Sequence, residues 1–137
     1  MSHCVPLAEL RAHRWLSLPE ESGVYWWYFP EILVDKINLA GHCEMSSLNL
    51  KRNDRGELCL YHGLAKNLSQ RIKWHGDQEL TLGALSSGFI STFRLTLLAL
   101  CQIEYAGGKK QIDSIFDQLS VSWQVTSSRR EAEDIEH

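Results

Sequence analysis

A run of six residues from Val24 to Phe29 constrains the fold most, because every residue in it is β-branched or aromatic. Such a run predicts a well-buried strand, and Pro30 ends it. The strand carries the first of two tyrosine tripeptides, Gly-Val-Tyr at residues 23–25. The second, Tyr-His-Gly at residues 61–63, follows another short apolar run. The two tripeptides therefore mark two predicted strands.

The hydrophobic period changes after the second tripeptide. Apolar residues then recur every four positions, at Leu64, Leu68 and Ile72. A polar stripe repeats with the same spacing, at Asn67, Arg71 and His75. This period predicts an amphipathic helix that starts at residue 64. We expect Arg71 and His75 to point the same way on it, one turn apart.

The rest of the chain predicts a mixed order of helices and strands. Helices are expected over residues 6–16, from an N-cap at Ser91 to the break at residues 107–108, over 111–119, and from residue 129 onward. Strands are expected over 48–51 and 58–61, around a turn at 53–56, and over 121–126. Residues 31–45 are ambiguous. The predicted fold is of the α+β type, a small central antiparallel β-sheet flanked by helices.

Length and composition predict one domain, spanning residues 1–137. Hydrophobic residues make up 44% and charged residues 23%, as is typical of globular proteins. No apolar run approaches the roughly 20 residues of a membrane span. The N-terminus lacks an apolar secretory stretch, and the four cysteines lie far apart without a Cys-x-x-Cys pair. We therefore expect reduced thiols, a cytoplasmic location and no membrane partner.

The motifs together resemble those of the GIY-YIG nuclease family. Residues 23–25 match the first motif with valine for isoleucine, and residues 61–63 match the second with histidine for isoleucine. Arg71 stands where the family arginine stands. His75 matches a histidine of the restriction-endonuclease-like branch, and Glu136 follows Ala132 as in the family's Ala-x-x-x-Glu. The resemblance spans residues 22–137, with an N-terminal extension over 1–21 and an insertion over 30–57.

The resemblance implies Mg²⁺-dependent cleavage of DNA, with Mn²⁺ as an alternative metal ion. Glu136 is then the expected metal ligand, and Arg71 is expected to bind phosphate. Tyr25 is the expected general base, and Tyr61 would position the water or the phosphate. His75 would accept a proton from a tyrosine or bind the phosphate. A homodimer would allow both strands to be cut, and the branch favoured is the restriction-like one.

Each of these residues also has a plain structural interpretation. The tyrosines suit sheet packing, Arg71 suits a helix surface, Glu136 suits a solvated acidic helix and His75 suits a helix C-terminal cap. A catalytically inactive module that binds nucleic acid or a protein partner is therefore the alternative function.

Basic residues form small clusters although the net charge is −3. We expect Lys66 and Lys73 to rim a nucleic-acid site. Arg94 lies within an otherwise apolar helix, so it is either paired in the core or reaches a cleft and contacts DNA.

Overall fold

The fold is an antiparallel sheet packed against helices, in a computed structural model that describes residues 4–39 and 51–127. Its strands are β1 (Val5–Pro6), β2 (Gly23–Phe29), β3 (Leu58–Ala65) and β4 (Ser120–Val125). Its helices are α1 (Leu7–Ala12), α2 (Glu31–Leu39), α3 (Leu68–Asp77), α4 (Leu82–Ser87), α5 (Thr92–Leu100) and α6 (Lys109–Phe116). The predicted α+β class is confirmed.

The strand predicted from the tyrosine-tryptophan run lies inside the sheet. The strand order is β1-β4-β2-β3, and all neighbouring strands are antiparallel. All seven residues of β2 are buried, because β3 and β4 pair with it on its two sides and packed side chains cover both of its faces. Tyr25 lies opposite Gly63 on β3 and opposite Trp123 on β4. The two tyrosine motifs are therefore neighbours in the sheet.

Alternate residues of β2 serve two different clusters. Tyr25, Trp27 and Phe29 face the main core, which is built with the helices. Trp26 and Tyr28 belong to a smaller cluster on the opposite face. Because side chains alternate along a strand, this single segment supplies both faces with large aromatic groups.

The first helix is shorter than predicted. The pattern predicts residues 6–16, whereas α1 ends at Ala12. Arg14 and Trp15 have positive φ angles of 55° and 63°, a backbone conformation that no helix can continue through. The change of chain direction at these two residues turns the Trp15 side chain back into the core, where it is 6% exposed.

The helix that carries Arg71 begins later than predicted. Leu64 belongs to β3, where it pairs with Val24, so the expected helix start at residue 64 is wrong. Asn67 is the N-cap, and its side chain accepts a hydrogen bond of 3.0 Å from the backbone N–H of Gln70. Asparagine satisfies an orphan donor at a helix start, and this signal outweighs the leucine spacing.

The second half of the chain agrees with the pattern except at the boundaries of its elements and at α4, for which no helix is predicted. Ser91 caps α5 as predicted, but α5 ends at Leu100 rather than at the paired glycines. Gly108 is instead the N-cap of α6, which begins two residues earlier than expected. The short elements β1 and α4 were not predicted. The turn at 53–56 is confirmed, with a 3.0 Å hydrogen bond from the N–H of Gly56 to the carbonyl of Asn53.

Several predictions from the sequence fall beyond the described residues. Most of the strand at 48–51, the helix from residue 129 and Glu136 itself lie there. Helix α2 occupies the start of the interval between the two motifs. The division into an extension over 1–21 and an insertion over 30–57 stays a prediction.

Arg94 is a core residue, so the prediction that it contacts DNA is wrong. Its side chain is 0% exposed. One guanidinium nitrogen donates to Asp113 Oδ1 at 2.8 Å, and another donates to the carbonyl of His75 at 3.1 Å. The guanidinium also lies 5.2 Å from the ring centre of Phe116. The Asp113 carboxylate offsets the free-energy cost of burying the Arg94 charge. This ion pair is the core pairing that the sequence left open.

We predict that Arg94→Met destabilises the fold by about 3 kcal/mol, because it removes the buried partner of Asp113 and a hydrogen bond to the backbone of α3. Urea unfolding followed by circular dichroism measures this change. Lys110→Met is the matched control: Lys110 is exposed on α6, so its replacement is expected to change the free energy of unfolding by no more than about 0.5 kcal/mol. Equal effects of the two substitutions would contradict the role given to Arg94.

Candidate active site

Two tyrosines from adjacent strands meet on one face of the sheet. The ring centres of Tyr25 and Tyr61 are 6.5 Å apart. Tyr61 stacks on Phe93 of α5, with ring centres 4.2 Å apart and planes 4° from parallel. This stacking holds the Tyr61 ring between the sheet and the helical layer. The structure therefore brings together two phenols that are far apart in the sequence.

His75 completes this group from α3. Its Nε2 lies 2.9 Å from the hydroxyl oxygen of Tyr25, and its Nδ1 lies 2.6 Å from the hydroxyl of Ser91. The ring centre of Tyr61 is 5.5 Å away in an edge-on arrangement. The imidazole is only 2% exposed, so it points into the protein rather than capping α3. Both of its nitrogens are engaged by side chains.

The surroundings of His75 favour the neutral imidazole. Burial, the largest cause, and the positive charges of Arg71 and Arg94 together lower the pKa of His75 from 6.5 to about 3. An imidazolium here would be poorly solvated and would lie near two guanidinium groups. The ring therefore carries a single proton at neutral pH.

The glycines of the two motifs leave room for these groups. A Cβ atom on Gly63 would lie 2.7 Å from the Tyr25 hydroxyl oxygen, closer than packed atoms approach. A Cβ atom on Gly23 would overlap the carbonyl oxygen of Gln124 and lie 2.8 Å from Leu68. Gly63 thus leaves space for the Tyr25 hydroxyl, and Gly23 lets β2, β4 and α3 pack closely.

Arg71 lies beside this group on a cleft of about 760 Å³ along the outer side of α3. Arg71 is exposed, whereas His75 one turn later is buried, so the two side chains do not share one surface as expected. The Arg71 guanidinium lies 4.8 Å from the ring centre of Trp74, which holds it at the cleft. The cleft is lined by polar and apolar residues: Ser22, Leu64, Ala65, Lys66, Asn67, Gln70, Arg71, Trp74, Phe89 and Thr126.

The predicted nucleic-acid contacts fall in different places. Lys66 is exposed and lines the cleft next to the start of α3. Lys73 is exposed on α3 but does not line that cleft. Trp74 and Phe89, whose ring centres are 5.7 Å apart, add an aromatic wall to the cleft.

The metal ligand predicted from the sequence, Glu136, lies outside the described residues. Within residues 4–39 and 51–127, no group of three or more His, Cys, Asp or Glu side chains could hold a metal ion. The groups that meet here are phenols, a neutral imidazole and a guanidinium. A single carboxylate suffices for Mg²⁺, because this ion keeps several of its waters. The assignment of Glu136 as the metal ligand stays a prediction.

An α+β domain with two tyrosines from antiparallel strands beside a helix-borne histidine and arginine has the arrangement that the motifs imply. The family model described as the GIY-YIG catalytic domain matches residues 23–137, so the chain belongs to this family. Membership supports a nuclease-type function with a nucleic-acid substrate, and nucleases of this family generally use divalent metal ions. No curated protein and no solved structure matches the chain.

No helix in the described ranges combines the length and the apolar character needed to cross a membrane.

The second partner of His75, Ser91, is not marked as such in the sequence. Ser91 was expected only as the N-cap of α5, and nothing in the local pattern links it to a histidine 16 residues earlier. The stacking of Phe93 on Tyr61 likewise has no signal in the local sequence. These contacts form only when α3, α5 and the sheet pack together.

We predict that His75 makes the fold less stable in mild acid. Below its ordinary pKa of 6.5 the unfolded chain takes up a proton that the folded chain refuses until about pH 3, so stability falls as the pH falls through this window. The loss between about pH 7 and pH 5 is expected to be about 2 kcal/mol. Urea unfolding at both pH values measures it.

His75→Gln is expected to remove this part of the pH dependence, whereas replacing the exposed His13 by Gln is expected to retain it. A His75→Gln protein with the full wild-type pH dependence would show that His75 is not held neutral in the fold.

Proposed function

We propose that the protein is a divalent-metal-dependent endonuclease that hydrolyses phosphodiester bonds of DNA. The observation that carries the proposal is the convergence of Tyr25, Tyr61 and His75 on one sheet face, beside a cleft that presents Arg71. These groups come from two strands and a helix, and packing of the apolar core alone does not require them to meet.

Arg71 is the proposed phosphate ligand. Its guanidinium is exposed at the cleft and held against Trp74, and its planar donors match phosphate oxygens. Lys66 at the same cleft adds a second positive charge for the DNA backbone. Lys73, exposed on the same helix, is proposed to contact a neighbouring phosphate.

Tyr25 is the proposed general base and Tyr61 its positioning partner. A phenolate at Tyr25 accepts a proton from the attacking water, and the hydroxide oxygen so formed bonds to phosphorus. The bond from phosphorus to the 3′ oxygen then breaks, and that oxygen takes a proton from solvent. Tyr61, whose ring centre is 6.5 Å from that of Tyr25, would hold the water or phosphate by a hydrogen bond.

Glu136 is the residue that we propose to hold Mg²⁺ or Mn²⁺. When bound, the ion would supply positive charge to the phosphate and to the leaving oxygen. A single carboxylate together with waters and substrate oxygens is an ordinary way to hold Mg²⁺.

A restriction-type role, a homodimer and a cytoplasmic setting complete the proposal. The histidine one turn after Arg71 supports the restriction-like branch. Two copies would let one small domain cut both strands. Cys4, Cys59 and Cys101 are free thiols, which supports a reducing compartment.

One observation favours the alternative, an inactive module that binds nucleic acid or a partner protein. The Tyr25 side chain is only 3% exposed, and water must reach its hydroxyl for the proposed chemistry. In such a module Tyr25 and His75 would serve packing alone, and the cleft would still bind nucleic acid.

The first functional prediction concerns the metal ion. Purified protein is expected to nick or cut plasmid DNA with Mg²⁺ or Mn²⁺ and to stop when a chelator is added. Glu136→Gln is expected to abolish cleavage while DNA binding persists or strengthens, because a negative charge near phosphate is removed. The matched control, Glu133→Gln, removes a carboxylate from the same acidic segment and is expected to leave cleavage intact. Cleavage that continues after complete chelation would refute metal dependence, and binding without any cleavage would favour the inactive module.

The second functional prediction tests the base. Tyr25→Phe removes one hydroxyl, so the fold is expected to remain while the cleavage rate falls about 100-fold or more. Tyr28→Phe is the matched control, because Tyr28 lies on the same strand but faces the opposite cluster. Single-turnover cleavage assays measure both. Wild-type cleavage by the Tyr25→Phe protein would show that another group is the base.

A further inference from the structure

Ser91 is both the N-cap of α5 and a hydrogen-bond partner of His75. The residue is fully buried at the start of α5. Its hydroxyl accepts a hydrogen bond of 3.1 Å from the backbone N–H of Arg94. The same hydroxyl lies 2.6 Å from Nδ1 of His75. One oxygen therefore serves two neighbours, and the direction of the second hydrogen bond decides where the imidazole proton resides.

The hydrogen-bond capacity of a serine hydroxyl settles this direction. A hydroxyl has one proton to donate and two lone pairs that accept. If Nδ1 carried the imidazole proton, Ser91 would accept twice. Its own proton would then have no recorded acceptor among the residues that the structure describes. A buried donor without a partner is unfavourable, so Ser91 donates to Nδ1.

The second nitrogen of His75 must then carry the proton. Burial and two nearby guanidinium groups keep the pKa of His75 at about 3, so the ring is neutral and holds a single proton. With Nδ1 accepting from Ser91, that proton lies on Nε2. Nε2 is 2.9 Å from the hydroxyl oxygen of Tyr25, so the imidazole donates to that oxygen.

We propose that Ser91 is a positioning residue that fixes His75 as the Nε2–H tautomer and so directs a hydrogen bond onto the Tyr25 oxygen. The catalytic consequence rests on the proposed function. A hydrogen bond donated to the phenol oxygen stabilises negative charge there, which is the charge that a base at this position needs. This assignment reverses the expectation that His75 accepts a proton from Tyr25, because neither nitrogen has a vacant lone pair.

The test measures the tautomer directly. In ¹⁵N-labelled wild-type protein, long-range ¹H–¹⁵N correlation of the His75 ring is expected to show a bare Nδ1 and a protonated Nε2, with the signals assigned by their loss in His75→Gln. Ser91→Thr keeps the hydroxyl and is expected to keep this pattern. Ser91→Ala removes the donor and is expected to lose the preference.

A cap on a different helix provides the matched control. Thr81 caps α4 through its side chain, which accepts from the N–H of Ala84, and it is not part of the site. Thr81→Ala therefore removes a helix cap without touching His75. The His75 signals of this protein are expected to match those of the wild type, as is its rate of DNA cleavage.

Cleavage supplies the second readout. With Mg²⁺, Ser91→Ala is expected to cut DNA about 10- to 100-fold more slowly than wild type, the same range as for removing a hydrogen-bond partner that orients a metal-ligating histidine. Ser91→Thr is expected to restore most of the rate. If Ser91→Ala fails to fold, the tautomer of wild-type His75 still tests the assignment. The tautomer and cleavage rate of the Ser91→Thr protein then test it a second time.

The two hypotheses fail in different ways. A wild-type His75 that is protonated on Nδ1, or an Ser91→Ala protein with an unchanged tautomer, would overturn the assignment to Ser91. A wild-type protein that shows the Nε2–H tautomer but never cuts DNA would support that assignment while refuting the nuclease function.

Discussion

The structure depends on one buried imidazole that is hydrogen-bonded on both sides. His75 reaches Tyr25 in the sheet through one nitrogen and Ser91 at the start of α5 through the other. These two contacts connect β2, α3 and α5, the three elements that surround the candidate site. A buried polar network of this kind is stable only when each member is satisfied, so the position of each element depends on the others.

Charge around the imidazole is balanced on the far side of α3. Arg94 is buried with its guanidinium on Asp113 at 2.8 Å, and Lys109 reaches the same carboxylate at 2.6 Å. Arg11 pairs with Asp77 at the end of α3, also at 2.8 Å. These ion pairs hold α1, α3, α5 and α6 together. They also keep a positive charge near His75, which is one reason why its pKa is lowered.

The candidate site and the hydrophobic core share residues in this domain. Tyr25 on β2 is a core residue, and Tyr61 on β3 is half-buried against that core. Gly63 is required because the Tyr25 hydroxyl occupies the space of its side chain. The exposed part of the site is supplied by Arg71 and the cleft along α3. The buried groups are fixed by packing and hydrogen bonds, while Arg71, the proposed phosphate ligand, remains exposed.

The sequence by itself determined the elements whose signals are local. The aromatic run of β2, the turn at 53–56 and the N-cap at Ser91 each depend on residues close together in the chain, so pattern and capping rules were enough to find them. Tertiary structure decided that Arg94 is paired in the core, that Leu64 stays in β3 opposite Val24, and that Ser91 meets His75. These outcomes depend on groups that approach only when helices and sheet pack, and side-chain periodicity carries no information about such partners.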